Sequence, residues 1–191
     1  DITAVNDTPT VSGVPTDVAV TEDTASNFDL SAVTFTEVDG DNLTVTIAAS
    51  AGTFAASTSG SVTVGGSGTG SLTLSGTAAN INTWLDTASN IKYTGASNVN
   101  GDNVATYTIH ANDGTVNPQV GGGNIDITAV NDAPTVSGVP TDVTVTEDTA
   151  SNFDLSAITF ADVDGDSLTV TIAVSAGTLA ASTSGSVTVG G

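Results

Sequence analysis

The chain has 191 residues, 21 of them acidic against one lysine and no arginine, for a formal charge of −20 at pH 7. That balance excludes nucleic acid and anionic membrane surfaces as partners, since both need a cationic patch. The absence of cysteine excludes disulfide and thiol chemistry, and no apolar run approaches the ~18 residues that direct membrane insertion requires.

The apolar residues recur at period two, which is the strand signature. In chain order, Val18 with Val20, Leu43 with Val45 and Ile47, Val62 with Val64, and Leu72 with Leu74 place apolar side chains on one face. Ile91 with Tyr93, Tyr107 with Ile109, and Ile125 with Ile127 continue the series. Threonine fills many of the alternate positions, and its β-branch favours strand. One segment breaks the rhythm: Ala78, Ile81, Trp84 and Leu85 recur at helical spacing behind Thr77, a capping residue. A short helix is predicted near residues 77–88, tucking Trp84 against the sheets. The glycine-rich stretches Gly65–Gly70 and Gly121–Gly123 read as loops between strands. Short strands separated by Gly, Asn and Asp predict an all-β fold, an Ig-like or cadherin-like antiparallel β-sandwich.

Residues 126–191 repeat residues 1–66 at a constant offset of 125, and eight of the 66 positions differ. Such a period has the size of a domain and is too long for a solenoid repeat, so the chain reads as a stretch of a tandem array. Asn6-Asp7-Thr8-Pro9, repeated as Asn131-Asp132-Ala133-Pro134, has the stiffness of a connector, because proline blocks ladder pairing and biases its neighbour to extended backbone. The predicted organisation is therefore the last strand of a preceding repeat over residues 1–6, a complete sandwich over 7–131, and the first half of the next repeat over 132–191. That half would expose an apolar face and open edges unless a partner completes it, either neighbouring repeat sequence or another copy through strand complementation.

Carboxylates cluster at fixed places in each copy. Glu37, Asp39 and Asp41 surround Gly40, and Asp162, Asp164 and Asp166 repeat the arrangement. Acids at i, i+2 and i+4 around a glycine bend can converge on one hard cation, and calcium accepts 6–8 oxygens without strict geometry. The bland alternative is a glycine turn with solvated acids. Mutual repulsion among the acids favours calcium. Asn98, Asn100, Asp102 and Asn103, with Asn112-Asp113-Gly114, suit calcium or ordinary Asx turns equally. Glu22-Asp23 and Glu147-Asp148, taken alone, read as surface charge.

Taken in order, several segments resemble the bacterial cadherin-like repeats of giant RTX-type surface adhesins. They are Thr21-Glu22-Asp23-Thr24, Asp39-Gly40-Asp41 with Leu43-Thr-Val, Asn100-Gly101-Asp102, Tyr107-Thr-Ile with Asn112-Asp113-Gly114, and Asn131-Asp132-Ala133-Pro134. The resemblance implies calcium ligands at Glu22, Asp39, Asp41, Asp102 and Asp113 in the complete unit. It implies further ligands at Asp126, Asn131, Asp132, Glu147, Asp164 and Asp166, at or beyond the connector. Ala133 departs from the animal cadherin linker, which carries a second asparagine there.

Catalysis finds little support. His110 is the only histidine, and its place on the Tyr107/Ile109 strand predicts the opposite, solvated face. The acids lie in turns, away from any aromatic-lined cleft, so glycoside hydrolysis is disfavoured, and the chain is read as a non-enzyme. Gly65–Leu72 has neither the repetition and aspartate of a calcium β-roll nor the lysine of a phosphate loop. The predicted function is a calcium-rigidified spacer in a long secreted or surface-anchored bacterial adhesin, located outside the cell. Two alternatives are an extracellular filament or sheath subunit built by strand complementation, and a calcium-dependent glycan-binding module.

Overall fold

Period-two patterning over residues 10–128 resolves into a sandwich. The computed structural model describes residue 3 and residues 5–190, and it divides into two units, one ending at Asp132 and the other starting at Ala133. The strand expected over residues 1–6 falls partly on Asp1, Ile2 and Ala4, outside the described residues. In the first unit the order is β1 (Thr10–Ser12), β2 (Asp17–Thr21), β3 (Ser26–Asn27), β4 (Thr34–Thr36), β5 (Asn42–Ala49), β6 (Thr53–Ala55), β7 (Thr63–Gly65) and β8 (Ser71–Thr77). The helix α1 (Ala78–Leu85) follows, then β9 (Lys92–Thr94), β10 (Gly101–Asn112) and β11 (Gln119–Thr128).

One sheet carries β2, β11, β10, β5, β8 and β7 side by side, a second carries β3, β9 and β6, and β1 pairs with β4. The pairing is antiparallel except between β2 and β11, which run parallel with Val18 opposite Ile125 and Val20 opposite Ile127. That pair corrects a purely antiparallel expectation. The β5 strand lies at the centre, with Val45 opposite Leu74 on one side and Ala111 on the other. Leu43, Val45 and Ile47 are buried, as their alternation requires. Phe28, Phe54, Tyr93 and Tyr107 meet between the sheets in edge-on contacts, with centroids 5.0 Å apart for Phe28–Phe54, 5.1 Å for Phe28–Tyr107 and 5.5 Å for Phe54–Tyr93. Such geometry adds to the stabilisation from area burial alone.

The helix is where the 3.6-residue spacing places it. Thr77 caps it by accepting from the Asn80 N–H, and Ile81, Trp84 and Leu85 are buried. Asn82 turns its amide to the edge of β4, accepting from Phe35 N at 2.8 Å and donating to Phe35 O at 3.0 Å.

Gly121–Gly123 is not a loop. It lies within β11, with Gly121 opposite Ile109 and Gly123 opposite Tyr107. The glycines are there because residues 14–16 cross directly over the strand. A Cβ on Gly123 would sit 2.4 Å from Thr16 O and 2.6 Å from Pro15 O, and one on Gly121 would meet Val14 at 2.8 Å. The Tyr107 hydroxyl reinforces the crossing by donating to Pro15 O at 2.6 Å. His110 is also not fully solvated. It is half-buried between Thr46 and Gln119 on the neighbouring strands, and its Nδ1 is buried without a hydrogen bond.

The second unit forms β12 (Thr135–Ser137) and β13 (Thr159–Ala161), paired antiparallel with Thr135 opposite Ala161, the counterpart of Thr10 opposite Thr36. Its counterparts of β2 and β5 form no strands, and it exposes an apolar face, so the sandwich is complete only in the first unit.

Two outcomes follow from the crossing. Gly123→Val forces residues 15–16 off β11 and destabilises the unit by about 1–3 kcal/mol, read as a lower urea midpoint with unchanged slope. Burial, with the Asp17 carboxylate nearby, pushes the Tyr107 phenol up to about 12. An unfolded tyrosine ionises near pH ~10, so the Tyr107 contribution is complete below that pH and is lost as pH rises towards 12. The melting temperature should fall across this window in the parent and less steeply in Tyr107→Phe.

Candidate metal centres

The sandwich gathers its conspicuous polar side chains at its two ends. Both β10 and β11 run the length of the unit, so the turn joining them lies at one end and their outer termini at the other. We call these the entry and exit poles, after the connector segments they hold.

At the entry pole, Asp113 closes the β10–β11 turn. Its Oδ1 accepts from Thr115 N and Val116 N, each at 2.8 Å, and its Oδ2 accepts from Asn6 Nδ2 at 3.1 Å. The Val116 backbone N–H, then Asn6 and Thr115, hold its carboxyl below the usual carboxylate range, so it stays ionised in mild acid. Asp7 N donates to Asp39 Oδ2 at 2.6 Å, and Asp39 N donates to Glu37 Oε1 at 2.8 Å. The connector Asn6-Asp7 is thereby stitched to Asp113 on one side and to the Glu37–Asp41 bend on the other. Glu37 Oε2 is buried and accepts no hydrogen bond.

At the exit pole, Glu22 follows β2 and is 0 % exposed. Its N–H donates to Thr128 O at 3.0 Å, continuing the parallel pairing by one residue. Asp23 then adopts φ 55, so the chain turns back at once and the Glu22 side chain is left inside. Glu22 Oε1 accepts from Val130 N at 2.8 Å, and Asn100 Nδ2 lies 3.2 Å from both Oε1 and Oε2. Asp126 Oδ1 accepts from Asn103 N at 2.8 Å.

Of the sequence-derived ligands, Asp39, Asp41 and Asp113 stand at the entry pole, and Glu22, Asp102 and Asp126 at the exit pole. Asn131 and Asp132 follow Val130 where the chain leaves. Asp41 and Asp102 are exposed. In the second unit, Asp164 N and Asp166 N both donate to Asp162 Oδ1, at 3.1 and 3.2 Å, so the acidic bend forms there too. Glu147 is exposed, unlike its buried counterpart Glu22, while Asp148 keeps the turn with φ 54. Sequence reasoning assigned no ligand role to Asn6 or Asp7, and it offered Glu37 and Asn100 only as members of the acidic and Asx clusters. The 125-residue period was the available signal for the first two, since it maps Asn131 and Asp132 onto them.

Among the described residues no three His, Asp or Glu side chains are drawn together closely enough to hold a metal as they stand. The donor set nevertheless suits a hard cation. It consists of carboxylates and amides alone, it includes a buried carboxylate oxygen without a donor, and Glu22 is wholly buried. The one lysine, Lys92, directs its Nζ to the neutral amide oxygen of Asn27. A cation is one way to offset the cost of burying an ionised carboxylate. Trp84, Tyr93 and Tyr107 are buried, so they form no aromatic platform for a sugar. No helix among the described residues is long and apolar enough to cross a membrane.

Comparison of the chain with protein-family profiles, with curated proteins and with solved structures finds no match.

The different surroundings of the acids predict different costs for removing them. Asp113→Ala deletes the acceptor of three donors and lowers the melting temperature by several degrees. The exposed Asp41→Ala, in chelator, leaves it nearly unchanged.

Proposed function

We propose that the chain is a stretch of a calcium-rigidified spacer, part of a long extracellular adhesin of the bacterial cell surface, with a mechanical role and no catalytic one. The observation that carries the reading is carboxyl groups buried at both poles, Glu22 and the Oε2 of Glu37, in a chain of 21 acidic residues and one lysine. Calcium supplies the missing positive charge, and the pole loops close around it. At the entry pole the donors are Glu37, Asp39 and Asp113 with the Asn6 and Asp7 segment. At the exit pole they are Glu22, Asn100, Asp102 and Asp126.

A spacer must transmit direction from one unit to the next, and the connector is suited to that. The exit pole holds Val130 through Glu22, and the entry pole holds Asn6 and Asp7. By the 125-residue period, Asn6 and Asp7 correspond to Asn131 and Asp132, which immediately follow Val130. In an array the two grips would fall on adjacent residues, the arrangement a stiff connector needs. The near identity of the copies favours the same role, since a spacer needs reproducible length and no unique site.

Extracellular modules bind calcium with Kd of about 10⁻⁴–10⁻³ M, so the sites would fill outside a cell and stay empty in a cytosol. Calcium at 100-fold excess over Kd adds about 2.7 kcal/mol per site. Calcium-titrated melting tests this: the midpoint should rise and the hydrodynamic radius fall, whereas magnesium at the same concentration should do less. Glu22→Gln should melt at or above the parent in chelator, because a neutral amide is cheaper to bury, yet gain less from calcium. A midpoint indifferent to calcium overturns the reading.

A further inference from the structure

We propose that residues 133–190 are a second acceptor for strands β8–β11, and that the shortness of the connector after β11 is what keeps them from claiming those strands. Every strand pair of the first unit except β1–β4 has a member drawn from β8–β11. The second unit, a near copy of residues 8–65, forms the counterpart of that one internal pair and of no other. Its core positions report the same dependence. Phe28 is 1 % exposed and its copy Phe153 39 %, while Ile47 is 1 % exposed and its copy Ile172 51 %.

The acceptor is chemically competent. Of the eight differences between the copies, none replaces an apolar core residue by a polar one. The exchanges that bear on β9 and β10 are Phe54 to Leu179 and Ala49 to Val174, opposite Tyr93 and Tyr107. Two acceptors of nearly equal quality thus flank strands β8–β11 in the sequence.

What prevents exchange is geometry. To take the place of the first copy, Asn131 would have to stand where Asn6 stands, against Asp113 at the entry pole. Asn131 follows Thr128, the last residue of β11, by three residues, a reach of about 10 Å. The ten residues of β11 separate the two poles by about 30 Å at ~3.3 Å per residue. The substitution cannot be made without unravelling β11. A tight connector between near-identical repeats therefore acts as a guard against mispairing, independently of any bound ion.

The test uses the full chain, which lacks cysteine. Thr44 lies opposite Ser75, with hydroxyl oxygens 3.4 Å apart, and Thr169 is the copy of Thr44. Ser75→Cys with Thr44→Cys should form an intramolecular disulfide after refolding from urea. Ser75→Cys with Thr169→Cys should form none in the parent connector. With a flexible Gly/Ser insertion of about 20 residues between Val130 and Asn131, spanning about 25 Å, the second pair should close in roughly a tenth of the molecules. That fraction follows because the near-identical acceptors differ mainly in loop closure, the short turn from Gly65 to Ser71 against about 25 residues, and the product should keep monomer mass in dilute solution. No disulfide in the insertion variant would overturn the acceptor, and equal closure without the insertion would overturn the guard. Carrying out the refolding in chelator separates both results from the calcium reading.

Discussion

The pairing of β5 with β8 on one side and β10 on the other is the interaction on which the rest of the unit depends. It places Val45 beside Leu74 and Ala111, and Ile47 beside Leu72 and Ile109, and it joins the early half of the unit to the late half. The second copy of β5 has almost the same sequence, yet without those neighbours it forms no strand and its apolar residues face solvent. Alternating Leu-Thr-Val-Thr-Ile is therefore a preference that needs a partner to become a strand. This matches the general view that β-propensity measures fit to a half-buried sheet more than an intrinsic backbone choice.

Local features behave differently, and the two copies separate them from the long-range ones. Turns written into a few consecutive residues persist in both units. Asp23 and Asp148 share the left-handed conformation, and Asp29 and Asp154 both accept from the serine two residues on. The acidic bend around Gly165 forms as the one around Gly40 does. The burial of Glu22 is not local, because it needs Val130, Asn100 and the end of β11, and Glu147 without them is exposed. The turn that aims this glutamate is encoded nearby, whereas its burial is conferred by strands about a hundred residues away.

The same distinction explains what was legible in the sequence. Period two identified the strands around Val18, Leu43, Leu72, Tyr107 and Ile125, and the helical spacing of Ile81, Trp84 and Leu85 placed α1, because these patterns are carried within each element. Gly121–Gly123 was misread as a loop because glycine signals both flexibility and close approach. Only the tertiary crossing of residues 14–16 decides between them. The parallel β2–β11 pair and the half-burial of His110 are likewise properties of neighbours. Among the candidate ligands, clustering along the chain drew attention to Asp39 and Asp41. The association of Glu37 and Asp39 with Asp113 runs through Asn6 and Asp7, and no spacing in the sequence announces it.

Charge and topology divide the labour within the unit. The middle of the sandwich is held by apolar alternation and by the four-ring aromatic cluster, which draw on both halves of the unit. The poles carry the buried carboxyl groups of Glu22 and Glu37, and they hold Val130 at one end and Asn6 with Asp7 at the other. In the proposed array, ions would act at these poles and not on the apolar core. On the proposed reading an ion bound there would stabilise the unit and fix the connector segments together, because Glu22 and Asp113 belong to the folded poles and also hold Val130 and Asn6.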